Sequence, residues 1–177
     1  RGVIAGETEI STVGMEGTSL RYRGYDAIEL TKNSTYEAVA SLVINDSLND
    51  ADYKKSFAKY YIQISKDKNL NQLLEEVKEK LSPMDVIRTV VSYMGELTTL
   101  MKQKLDNQDK VELTARINAT VSYIIASYHD KDCDELNEKY LVASSMLPND
   151  ANEEKIEALD DMLILYAEHG FNASTFA

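Results

Sequence analysis

A chain of 177 residues with 44% apolar composition is long enough to bury a core and too apolar to be disordered throughout. Its net charge of −11 excludes the broad basic surface that general nucleic-acid binding requires, and it suits anionic substrates only where a few local cations override the average field. The lone cysteine, Cys133, excludes an internal disulfide and fits a reducing, cytoplasmic setting, and no apolar run approaches the ~18 residues of a membrane span.

Breakers are unevenly spread. Gly2, Gly6, Gly14, Gly17 and Gly24 crowd the start, whereas Gly95, Gly170, Pro83 and Pro148 are the only glycines and prolines afterwards. Short β-prone pieces (Val3-Ile4, Glu9 to Val13, Ser19 to Tyr25) alternate with those early glycines and predict small strands or extended turns. From Asp26 the period becomes helical. Ile28 and Leu30 mark a short helix, and a second starts near Ser34-Thr35 with Tyr36, Val39, Ala40, Leu42 and Val43. Thr35 as N-cap puts Ala38 at the third helical position, so no capping box is completed.

After a polar turn from Asn45 to Asp52, the residues Tyr53, Phe57, Tyr60, Tyr61 and Ile64 define an amphipathic helix whose aromatic stripe reads as core. Leu70, Leu73, Leu74, Val77 and Leu81 make the next. Ser82-Pro83 is a helix start, with Asp85 near its positive end. The helix over 83–103 is apolar over a wide arc, which predicts burial on more than one side, in a core or against a partner. Another helix runs from about Asp109 to Tyr128, and the loop His129 to Asp134 is charged. A helix through Leu136, Tyr140, Leu141 and Ala143 precedes Pro148. The last begins near Asn152, with Ile156, Leu159, Leu163 and Tyr166 on one stripe. The expected architecture is all-α, one domain over 1–177, with a small extended N-terminal segment.

The chemistry-bearing candidate is His169. It continues the stripe 156-159-163-166, which points its ring toward the interior or a cleft floor, and Gly170 suits the left-handed residue that ends a helix. Asn172 can cap a new helix whose free N–H groups at Ala173-Ser174-Thr175 lie near the histidine. Two readings stand: a pocket for a carboxylate or polarised carbonyl, or a helix-ending histidine satisfied by the last carbonyls and the dipole. Arg21 and Arg23 fit salt bridges in a turn better than anion ligands, and Arg88 fits a buried or interface ion pair. His129 with Asp130, Asp132, Cys133 and Asp134 lacks a second His or Cys at usable spacing, so a solvated charged loop is favoured over a metal site.

Three collinear stretches resemble the citrate synthase family. They are Gly2 to Thr8 with Leu20-Arg21-Tyr22-Arg23-Gly24-Tyr25-Asp26, then Pro83-Met84-Asp85-Val86-Ile87-Arg88-Thr89, then Leu163 to His169 with Asn172-Ala173-Ser174-Thr175-Phe176. The resemblance implies the N-terminal part of that family's helical large domain, in an enzyme that condenses acetyl- or propionyl-CoA with oxaloacetate as citrate or 2-methylcitrate synthase. It implies no metal or redox cofactor, acyl-CoA being a substrate, and it implies a homodimer. His169 matches the family's oxaloacetate-binding histidine. The catalytic histidine and aspartate, the carboxylate-binding arginines and most CoA contacts are expected beyond Ala177, so the 177 residues contain no catalytic residue and are expected to be inactive alone. Ser82 stands where many members have His, Asp46-Ser47-Leu48-Asn49 lacks the family's Gly and Pro, and Tyr166 is similar to 2-methylcitrate and archaeal types. The alternative is a noncatalytic all-α dimerisation or scaffold protein built on such a half, using the helix 83–103.

Overall fold

A computed structural model describes residues 8–12, 19–94, 105–129, 131, 136–168 and 170. Its N-terminal part is a three-stranded antiparallel sheet in the order β1-β2-β3, formed by β1 (Ser11–Thr12), β2 (Arg21–Tyr22) and β3 (Tyr25–Asp26). Ser11 pairs with Tyr22, and Arg21 with Asp26. The expected strand over Ser19–Tyr25 is a hairpin because Arg23 and Gly24 both take left-handed φ values, 48° and 88°, as a two-residue type I′ loop requires. Val3-Ile4 lies outside the described residues.

Asp26 ends the sheet and caps α1 (Ala27–Asn33), its Oδ1 accepting from the amides of Ile28 at 2.9 Å and Glu29 at 3.2 Å. Helix α2 (Tyr36–Asn45) starts from Thr35 as expected and stops where Asp46 turns left-handed, its N–H returning to the Leu42 carbonyl. Helix α3 (Ala51–Ser65) carries the aromatic stripe into the core: Tyr53, Phe57 and Tyr61 are wholly buried.

Helix α4 (Lys68–Val77) stops short of the expected Leu81. The amides of Lys80 and Leu81 both fold back to the Val77 carbonyl, and Ser82 must be extended because Pro83 follows. Helix α5 (Pro83–Tyr93) has the expected Ser82 cap on the Asp85 amide. Of its wide apolar arc only Val86 and Val90 are fully buried, while Met84 is 72% and Tyr93 56% exposed. Residues 95–104 lie outside the described ones.

Helix α6 (Asn107–Ala126) opens with a reciprocal capping box between Asp106 and Asp109. Helix α7 (Leu141–Met146) begins later than the sequence pattern suggests. Asn137 Oδ1 accepts from the amides of Lys139 and Tyr140, which holds that stretch as a turn until Leu141. Helix α8 (Glu153–Leu165) is capped by Asn152.

The longest packing interface is between α3 and α6, and α6 also meets α2, α5 and α7. Phe57 stacks on Tyr61, which meets Tyr123 edge-on with ring centres 5.9 Å apart. A second, smaller cluster gathers Tyr22, Ala27, Leu30, Val39, Leu42 and Ile164 where the sheet, α1, α2 and α8 meet. That cluster lies directly beneath the end of α8.

Candidate functional site at the end of helix α8

The phase of α8 differs from the one the apolar letters suggest. Asp160 and Ile164 are its fully buried residues, whereas Ile156, Leu159 and Leu163 are half-buried and Tyr166 is 77% exposed. The buried line is therefore rotated from the expected stripe 156-159-163-166, because the polar side chain of Asp160 is drawn inward to α2. The helix also ends at Leu165, with Tyr166 as its cap residue. Carrying helical periodicity forward to position 169 is thus unsupported, and Gly170, with φ 107°, ends a turn after the helix rather than the helix itself. His169 lies outside the described residues, as does the expected helix start at Asn172.

What surrounds this segment on both sides is described. The Tyr22 side chain, fully buried on β2, donates its hydroxyl to the Ile164 carbonyl at 2.8 Å and lies 3.1 Å from the Leu165 carbonyl. Both belong to the last turn of the helix, where the Ile164 carbonyl also accepts from the Ala167 amide at 3.2 Å. Burial raises the Tyr22 phenol above its ordinary value, opposed by the nearby Glu168 backbone amide, so it stays a neutral donor. Beyond the helix, Gly170 N donates to Glu168 Oε1 at 2.5 Å, closing a short loop, and Ser11 Oγ on β1 approaches the same oxygen at 3.5 Å. The sheet thus holds the chain that leads toward position 169, at Ile164, Leu165 and Glu168.

The other candidate residues fall as follows. Arg23 is structural: its Nη2 donates to the Val43 carbonyl at 3.2 Å and its Nε lies 4.0 Å from Asp46. Arg21 is exposed and contributes to holding Asp26 below the ordinary carboxylate range, after the larger effect of the Ser19 hydroxyl. Arg88 is not buried; it pairs with Asp85 one turn back on α5 at 2.7 Å, with its side chain 79% exposed. His129 is exposed, and among the described residues no three His, Cys, Asp or Glu side chains gather to hold a metal. Asp130, Asp132, Cys133 and Asp134 lie outside those residues. An open cleft of about 460 Å³ lies near the other end of α8, walled by Thr31, Ser34, Lys32, Lys139 and Glu157, and includes none of the described residues from 164 onward.

Sequence reasoning missed Tyr22, Glu37 and Asp160. Glu37 is wholly buried and its Oε1 accepts from the Val142 amide at 2.7 Å. Its Oε2 and the Thr35 hydroxyl are buried without hydrogen-bond partners of normal geometry, though the hydroxyl stands close enough to favour the ionised carboxylate slightly. Burial raises the Glu37 carboxyl, and burial together with the Glu37 charge raises Asp160 to about 7. One signal was available: Ile156, Asp160 and Ile164 share a helical row, so an acid stands among apolar neighbours.

The family model described as citrate synthase, C-terminal domain, matches residues 1–177. The chain is 36% identical to a 2-methylcitrate synthase of Shewanella oneidensis over 99% of its own length and 48% of the relative's. It is 28% identical to a citrate synthase of Haloferax volcanii, over 99% of this chain and 50% of that one. Its fold matches the crystal structure of citrate synthase from Pyrobaculum aerophilum with a TM-score of 0.72, at 23% identity, covering 99% of this chain and 48% of that one. The chain therefore spans about half the length of the relatives it matches.

Proposed function

Because this chain belongs to the citrate synthase family, we propose that it forms half of a citrate or 2-methylcitrate synthase. The reaction is condensation of acetyl- or propionyl-CoA with oxaloacetate. The α-carbon of the acyl thioester loses a proton and attacks the ketoacid carbonyl; a carbon–carbon bond forms, the carbonyl oxygen takes up a proton, and water then cleaves the thioester to release CoA. No metal or redox cofactor enters this scheme. His169 is the proposed ketoacid ligand, donating a hydrogen bond to the carbonyl oxygen on which charge develops. The observation that carries this reading is the family match along the whole chain, supported by the contacts Tyr22 and Ser11 make to residues 164, 165 and 168 just before position 169.

The catalytic histidine, aspartate and carboxylate-binding arginines that the resemblance assigns beyond Ala177 are not among these residues. The chain alone should therefore show no turnover, and the oxaloacetate binding it keeps should depend on His169. The test has two parts: calorimetric titration of oxaloacetate into the wild-type chain and His169→Asn, and release of CoA thiol from acetyl- or propionyl-CoA in its presence. Binding that is weakened at least about tenfold by the substitution, about 1.4 kcal/mol, supports the reading. Equal affinity in both proteins, or turnover by the chain alone, overturns it.

A second reading has its own support. Met84 and Tyr93 leave apolar surface exposed on α5, and Met162, Leu165 and Tyr166 do so on α8. A noncatalytic dimerisation or scaffold role, or a homodimeric cytoplasmic enzyme, would use such faces. Sedimentation at several concentrations distinguishes a dimer from a monomer, and the oxaloacetate titration separates the two roles.

A further inference from the structure

Tyr22 is the one buried phenol that reaches from the N-terminal sheet to the end of α8. Its oxygen serves the carbonyls of Ile164 and Leu165 together, 2.8 Å and 3.1 Å away. Its ring belongs to the cluster that includes Ile164, with Ala167 packed against it, so ring and hydroxyl both hold the last turn. The tether is double. Ser11, which pairs with Tyr22 across the sheet, approaches Glu168 Oε1, and that oxygen also receives the Gly170 amide. An unanchored helix end frays and exchanges among terminal conformations, because its last carbonyls have no partners in the helix. Here β2 adds a donor from 142 and 143 residues away in sequence, to the Ile164 carbonyl, which also accepts from the Ala167 amide, and to that of Leu165.

We propose that Tyr22 is a positioning residue: its hydroxyl fixes where α8 ends and thereby sets the placement of position 169 for ketoacid binding. The proposal rests on the reading of His169 as the oxaloacetate ligand, and it is tested so that either can fail alone. The chain has two histidines, His129 and His169, so ring-nitrogen resonances of the ¹⁵N-labelled full chain are assignable with His129→Gln.

Wild type and Tyr22→Phe are compared first without ligand and then during titration with oxaloacetate. Expected in Tyr22→Phe are a changed ring tautomer balance or titration midpoint for His169, an unchanged signal for His129, and oxaloacetate affinity lowered about fivefold to tenfold, equal to about 1 to 1.4 kcal/mol. Loss of one hydrogen bond that only stabilised the fold would lower the unfolding midpoint and leave the His169 ring as it was. An unchanged ring signal together with unchanged affinity overturns the proposal. If wild-type oxaloacetate binding is absent, the reading of His169 falls, and the ligand-free ring signal alone decides Tyr22: moved in Tyr22→Phe, it supports positioning; unmoved, it overturns it. Should Tyr22→Phe not fold, genetically encoded 3-fluorotyrosine at position 22 keeps the ring and makes the hydroxyl a stronger donor. A shift of the His169 ring signal then supports the proposal, and its absence overturns it.

Discussion

Both carboxylate oxygens of Asp160 lie 3.1 Å from the Tyr36 amide, so the middle of α8 caps the beginning of α2. Thr35, the residue in the N-cap position, makes no side-chain cap bond. Glu37, one residue further on, repeats the device by accepting from the Val142 amide in the first turn of α7. Three helices are thus joined by two buried carboxylates, each satisfying an amide that its own helix leaves free.

That arrangement sets a pH dependence. Burial first, and then the Glu37 charge, raises the Asp160 carboxyl from 3.8 to about 7, with Asp161 pushing the same way and Lys139 and the Tyr36 amide opposing. Glu37 moves in the same direction, and Lys54 opposes it. A raised pKa means the folded protein keeps a proton that the unfolded chain releases. The contribution is full below 3.8, shrinks as pH climbs, and is gone above about 7. Urea midpoints should therefore fall between those limits in wild type. Asp160→Asn keeps an acceptor for the Tyr36 amide and carries no proton, so its midpoint should be much flatter over that range. A wild-type midpoint that rises steadily toward neutral pH would contradict this.

Two residues at N-cap positions should respond unequally to alanine. Ser82 Oγ accepts from the Asp85 amide and donates to the Asp85 carboxylate at 2.8 Å, so Ser82→Ala should cost about 1 kcal/mol. The Thr35 hydroxyl is buried, makes no cap bond and reaches Glu37 without normal hydrogen-bond geometry, and Asp160 already serves the helix start. Thr35→Ala should change stability by no more than about 0.5 kcal/mol in either direction. Equal losses at the two positions in denaturant titrations would refute the division of labour between Asp160 and Thr35.

Helical periodicity and local caps made most of the fold legible. Ser82-Pro83 marked the start of α5, Asn152 that of α8, and the stripe Tyr53-Phe57-Tyr61 the core. The phase error in α8 and the late start of α7 come from polar side chains, the first through a distant partner and the second through local ones. Asp160 is buried because the Tyr36 amide, 124 residues away, needs an acceptor, and this turns α8 from its most apolar line. Asn137 delays α7 by holding two amides in a turn. The same limit applies at the site. His169 was legible as a resemblance, whereas Tyr22 looked like one more alternating strand residue, since nothing local shows that it bonds to the carbonyls of Ile164 and Leu165.

At Gly24 the cost of a side chain is purely conformational. Its φ is 88°, and a Cβ built there meets nothing within 4 Å. Gly24→Ala should therefore destabilise by about 1 to 2 kcal/mol through backbone strain alone. Because β2 carries Tyr22, the hairpin's strain should also appear as faster amide exchange at Ala167 and Glu168. A neutral Gly24→Ala would show that the hairpin relaxes without cost.

Asn118 is the last test, because it binds two helices through one amide group. Its Nδ2 donates to Tyr36 OH at 2.9 Å and to Tyr53 OH at 2.5 Å, linking α6 to α2 and α3. Burial raises both phenols, Tyr53 strongly, so they remain neutral and keep needing partners. Asn118→Leu retains the volume and takes the amide donor from both phenol oxygens, leaving them with the hydrogen bond they make to each other. An unsatisfied group costs about 1 to 3 kcal/mol, so the variant should lose at least about 1 kcal/mol. Adding Tyr36→Phe and Tyr53→Phe to Asn118→Leu removes the stranded oxygens and should recover part of that loss. If the triple variant is no more stable than Asn118→Leu alone, the cost lies in packing around position 118 rather than in the broken hydrogen bonds.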